Sequence, residues 1–127
     1  MIDKKVVEKI IVKNRELKSK KDYMDIKNVS VEELKWSKEL LELRDFIANL
    51  SNEEMADLLA LMECGRYLYQ VANRRINKNE FIKNQQNFLM QIKTDEDKKH
   101  KATYLLQNSF LSEYLESSLQ LFEDANN

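Results

Sequence analysis

His100 and Cys64 are the only histidine and the only cysteine of the chain, so acid–base, nucleophilic or zinc chemistry would have to start from them. A zinc site wants three or four His, Cys or carboxylate ligands at short spacing. His100 follows "DEDKK", and with Glu96, four residues earlier, it offers only two ligands. Asp95, Glu96 and Asp97 are better explained as the first turn of a helix, where acids favour the positive end of its dipole. A solvated surface histidine is expected. Cys64 has only Arg66 nearby to lower its pKa and no histidine in its segment. It reads as a small buried side chain on the apolar side of a helix. Carboxylate pairs such as Glu53–Asp57 and Glu39–Glu42 have the spacing of a wet helix face. A loop that cradles phosphate needs several glycines, and Gly65 is the only one. This inventory predicts no enzyme, no metal and no cofactor.

Binding is the stronger reading. The stretch "GRYLYQVANRRINKNEFIK" sets Arg66, Arg74, Arg75, Lys78 and Lys83 among Tyr67 and Tyr69, a mixture suited to phosphates and bases. Arginine forks suit carboxylates as well. Arg66, Tyr67, Arg74, Arg75 and Lys78 are therefore the candidate partner-binding residues. A helix-turn-helix would want a small residue four positions before its turn glycine and an apolar one just after. Leu61 and Arg66 stand there instead. With a pI near 5.9, a protein partner is the first choice and nucleic acid, through residues 66–83, the alternative.

The elements that must position these residues are helices. Val6, Val7, Ile10, Ile11 and Leu17 form one stripe of an amphipathic helix within residues 1–17. Residues 18–29 lose the period and read as a connector. The helical core then spans 30–123. Ser30 with Glu33 forms a capping box opening a helix to about Asn49, and Ser51 with Glu54 repeats the device. The helix after Ser51 carries Met55, Leu58, Leu59 and Met62 with Leu61 and Cys64 beside them, an apolar surface wide enough for a central position. Gly65 follows its last strongly periodic residue and is expected to end it, in the left-handed conformation of a C′ glycine. Asn77 with Glu80 opens a helix bearing Phe81, Phe88, Leu89 and Ile92. Thr94 opens another that runs through Ala102, Leu105 and Leu106 to Asn108. Phe110, Leu111, Tyr114, Leu115, Leu119 and Phe122 make the stripe of a terminal helix.

Composition supports this picture. The chain has 127 residues, one glycine and no proline, so the turn residues that a sheet protein needs are almost missing. Length suits one domain with its own core. The expectation is an all-α, single-domain bundle of five or six helices. No apolar run approaches the roughly 18 residues of a membrane span, and the charged N-terminus is no secretory signal. One cysteine fits a reducing compartment, so the cytoplasm is expected. Lysine outnumbers arginine 16 to 5 and asparagine reaches 12, a usage of AT-rich coding sequence that points to a bacterium or its phage. The net charge of −1 conceals blocks: +5 over 1–21, −7 over 22–63, +5 over 64–101 and −4 over 102–127. These blocks either neutralise one another on packing or leave faces of opposite sign.

Two stretches resemble a known family. Leu50–Ser51 followed by acids, then Ala60–Leu61–Met62 and Gly65–Arg66, form the first. The second is "YLLQNSFLSEYLESSL", Tyr104 to Leu119. Together they are similar to the bacterial domain of unknown function numbered 3775, whose tyrosine–leucine–leucine turn precedes a terminal helix. Tyr67 replaces that family's second glycine, and Gln107 and Ser109 stand where its turn has glycine and proline. The resemblance implies a small helical bacterial protein and brings no activity with it. The combined expectation is a small protein acting by binding a protein partner, in the manner of a bacterial or phage regulator or inhibitor. The stripe of residues 1–17 packs either on its own bundle or across a homodimer.

Overall fold

A computed structural model describes residues 2–19, 38–70 and 78–125, together with the helix bounds at their edges. Among them lie six helices and no strand: α1 (Lys4–Ser19), α2 (Lys38–Ala48), α3 (Asn52–Gln70), α4 (Lys78–Gln91), α5 (Asp95–Gln107) and α6 (Leu111–Ala125). The all-α bundle expected from composition is what forms. The Ser30–Glu33 box, Asn77, Arg74, Arg75 and most of the 18–29 connector lie outside the described residues. Lys18 and Ser19 belong to α1, which runs two residues past its expected end.

Two helix starts follow directly from their caps. Ser51 Oγ accepts from the Glu54 amide while Glu54 Oε1 accepts from the Ser51 amide, both at 3.1 Å. Thr94, in extended conformation, exchanges the same pair of bonds with Asp97. Each box satisfies donors that the first helical turn leaves open. Asp97 Oδ2 also accepts from the Lys93 amide.

Helix α3 is central, packed against α4, α5 and α6, while α1 rests on α6 and α2, and α2 on α5. The run from Met55 to Met62 is buried at every position, which a helix achieves only when neighbours cover it all round. That run includes Asp57, 2 % exposed, which the spacing with Glu53 assigns to a wet face. The carboxylate is instead an internal acceptor: Ile2 N donates to Oδ2 at 2.7 Å and Gln85 Nε2 to Oδ1 at 2.6 Å. Its position inside "ADLLALM" was the available signal.

The helix does not end at Gly65. It continues in regular α conformation to Gln70, so the expected left-handed cap is wrong. The glycine is needed for a different reason. A Cβ at residue 65 would overlap the carbonyl oxygen of Tyr114 and lie 2.7 Å from its Cα. Only hydrogen lets α3 and α6 approach this closely. Four residues along α6, the Ser118 hydroxyl donates to the Leu61 carbonyl, four residues back along α3. The two helices thus run antiparallel with small residues at both contacts.

Helix α1 buries Val7, Ile10, Ile11 and Leu17 against its own chain. Of the two placements expected for this stripe, the intramolecular one is found. A homodimer through it would have to strip those residues from their core. Asn14 is buried in the same face, where its Oδ1 accepts from Ser112 Oγ at 2.7 Å.

A candidate protein-binding surface on α3, α5 and α6

Glu63 on α3 joins Arg66 of the same helix to Tyr104 in the last turn of α5. Its Oε1 accepts the Tyr104 hydroxyl at 3.2 Å and pairs with Arg66 Nη1 at 3.4 Å. Glu63 and Arg66 are three residues apart on α3, the spacing that faces side chains toward each other on a helix. Tyr104 arrives from α5, 41 residues away in sequence. The Glu63 carboxylate, then the Tyr104 hydroxyl, raise the Arg66 pKa above its ordinary value. The Arg66 side chain stays 38 % exposed beside this carboxylate.

Phe110 is exposed on the turn that follows α5. Asn108 caps α5 through its own N–H to the Leu105 carbonyl, and its side-chain amide donates to the Tyr104 carbonyl at 3.2 Å. The chain reverses here. The Phe110 carbonyl accepts the Tyr114 amide at 2.9 Å and opens α6. The turn leaves Phe110 55 % exposed, with its ring 6.1 Å from that of Tyr114 at 47°, a tilted aromatic pair. Tyr114 is nearly buried and Tyr104 is 37 % exposed.

Of the residues expected to bind a partner, Arg66 lies in this cluster, and half-buried Tyr67 follows it on α3. Lys78 is exposed at the start of α4, and Arg74 and Arg75 lie outside the described residues. Sequence reading missed Tyr104 and Phe110 because both stand inside apolar helical patterns that look like core. Phe110 is displaced from the core by the turn at Asn108. The four-residue period from Phe110 to Tyr114 gave no hint of that.

The other candidates take no part. Cys64 is buried, and burial pushes its thiol up to about 11. His100 is exposed, with Nε2 3.2 Å from Glu96 Oε1. Among the described residues no three His, Cys, Asp or Glu side chains gather where they could hold a metal ion. None of the described helices is long and apolar enough to cross a membrane.

The two stretches that resemble one family thus converge. Arg66 of the first and Tyr104 of the second both bond to Glu63, and Gly65 of the first packs on the backbone of Tyr114 of the second. The model of the family described as "protein of unknown function (DUF3775)" matches residues 41–123, from α2 to the last turns of α6, leaving α1 outside. No curated protein and no solved structure matches the chain.

Proposed function

The chain belongs to the DUF3775 family, whose description carries no activity, and we propose that it is a non-enzymatic helical protein that binds a protein partner through the surface around Arg66. The observation that carries this is an arginine and an exposed tyrosine from another helix tied to one carboxylate, Arg66 and Tyr104 on Glu63, with exposed Phe110 on the turn that follows Tyr104's helix. Arginine and tyrosine are the residues that most often dominate binding energy at protein interfaces. Anchors held by helices also lose little conformational freedom on association.

Charge favours a protein over nucleic acid. Phosphate binding draws on unpaired cations whose counterions are displaced, whereas Arg66 shares its charge with Glu63. The proposed setting is the cytoplasm, and the proposed role that of a bacterial or phage regulator.

Titration of labelled DNA and RNA at about 50 and 200 mM salt separates the alternatives, because each phosphate contact makes affinity fall steeply across that range. No complex tighter than micromolar is expected at the higher salt. A tight, salt-sensitive complex abolished by Arg74→Glu with Arg75→Glu would replace the protein-binding reading with the nucleic-acid one.

A further inference from the structure

Among the described residues Asp57 is the one residue of charged type that is buried, in the middle of the apolar run of α3. Its two oxygens hold two distant parts of the chain. Oδ2 accepts the Ile2 amide at 2.7 Å, 55 residues away, and Oδ1 accepts Gln85 Nε2 at 2.6 Å, 28 residues on. Ile2 is itself buried and lies just ahead of α1, whereas Gln85 is half-buried on α4. Asp3 serves the start of α1: its Oδ1 accepts the Lys5 amide, and its carbonyl those of Val6 and Val7. The Ile2 amide, outside that cap, turns inward to α3.

A carboxylate tolerates an apolar surrounding only while its oxygens are bonded. Here the start of the chain covers one oxygen and α4 the other. A hydrogen bond is stronger in dry surroundings than in wet ones. Lifting either cover wets the carboxylate and weakens its bond to the other. Helix α1 packs chiefly on α6 and α2, and α4 on α3, so neither helix is a main support of the other. The shared carboxylate is what relates them.

We propose that Asp57 is a latch that couples the docking of α1 to that of α4, each contact keeping dry the carboxylate that holds the other. The family match covers residues 41–123, so Asp57 and Gln85 lie inside it and Ile2 outside. The latch is thus a point at which the N-terminal helix responds to the state of α4. A coupling of this kind is reciprocal by thermodynamic necessity: an open α4 makes α1 easier to open, and the reverse. It involves neither Arg66 nor the partner proposed for that surface, and stands independently of both.

Native-state hydrogen exchange of the full chain, followed by mass spectrometry, reads the opening of each helix. Gln85→Leu takes a donor from Oδ1 on the α4 side and should speed exchange of the α1 amides about fivefold, the lower end of couplings between sites. The same change in an Asp57→Leu background should leave α1 exchange unaltered, because no carboxylate remains to transmit it. Asp57→Asn alone sets an amide N–H against the donor of Ile2 or of Gln85. Adding Gln85→Glu gives that N–H an acceptor while the amide oxygen still accepts from Ile2, so the pair should protect α1 better than Asp57→Asn alone. Unchanged α1 exchange in Gln85→Leu, equal acceleration with and without Asp57, or no recovery in the exchanged pair would each overturn the proposal.

Discussion

The carbonyl of Tyr114 on α6 packs against the Cα of Gly65 on α3, leaving no room for a Cβ. This contact joins the two halves of the family-like sequence and sets the distance between the helix that carries Arg66 and the one that follows Phe110. In an uncrowded helix interior, Gly→Ala would stabilise by about 0.5–1 kcal/mol. Here the obstruction is backbone, which cannot rotate aside. Gly65→Ala should instead destabilise by about 1–3 kcal/mol, the cost of overpacking, read from a lowered urea midpoint. A raised melting temperature would show that α3 and α6 separate freely.

The same glycine shows how far the sequence could be read. Periodicity and caps located the helices well, because amphipathic stripes and Ser/Thr–acid boxes are local signals. Thr94 and Ser51 sit where those signals put them. The single glycine looked like a local stop signal too. Its reason lies 49 residues away, in an interhelical distance that no local pattern encodes. The site was half legible for the same cause. Arg66 stood out by residue type, whereas Tyr104 and Phe110 acquire their exposure only from the turn that follows α5.

Asn14 and Ser112 offer a test of the α1–α6 contact. Asn14 is 1 % exposed, and its Nδ2 has no hydrogen-bond partner among the described residues. An unsatisfied buried donor costs about 1–3 kcal/mol, and replacing both members of a buried polar pair by apolar groups can be neutral or stabilising. Asn14→Leu with Ser112→Ala should therefore leave stability unchanged or raise it by about 1 kcal/mol. Ser112→Ala alone, which strands the Asn14 carbonyl as well, should lower the denaturation midpoint. A large loss in the double variant would mean that the pair fixes the register of α1.

Cys64 should behave as a reporter of unfolding. Its thiol is raised from 9.0 to about 11, chiefly by burial. At pH 8 a thiol reagent should label the native protein far more slowly than the urea-unfolded chain. A raised folded pKa contributes stability that is intact below the unfolded value and lost as pH rises through the folded one. Stability should hold to about pH 9 and fall toward pH 11, with a smaller slope in Cys64→Ala. Rapid native labelling would contradict the burial on which this rests.

The Thr94–Asp97 box gives the opposite sign. Bonds from the Lys93 and Thr94 amides hold the Asp97 carboxyl below its ordinary value of 3.8. A depressed folded pKa contributes stability that is present above the unfolded value and lost as pH falls through the folded one. Thermal melts below pH 3.8 should fall less with acid in Asp97→Asn than in the natural chain. Thr94→Ala should cost about 1 kcal/mol at neutral pH, the usual value of an N-cap.

The central claim is that the surface around Arg66 binds a protein. Affinity capture from the native host, with the natural chain and Phe110→Asp run side by side and nuclease present, tests it most directly. Phe110 is 55 % exposed, so the variant should fold normally, as circular dichroism would verify. The account predicts one protein recovered in near-stoichiometric amount by the natural chain and lost with Phe110→Asp. Recovery of the same protein by both, or of nothing but nucleic acid when nuclease is omitted, would contradict it.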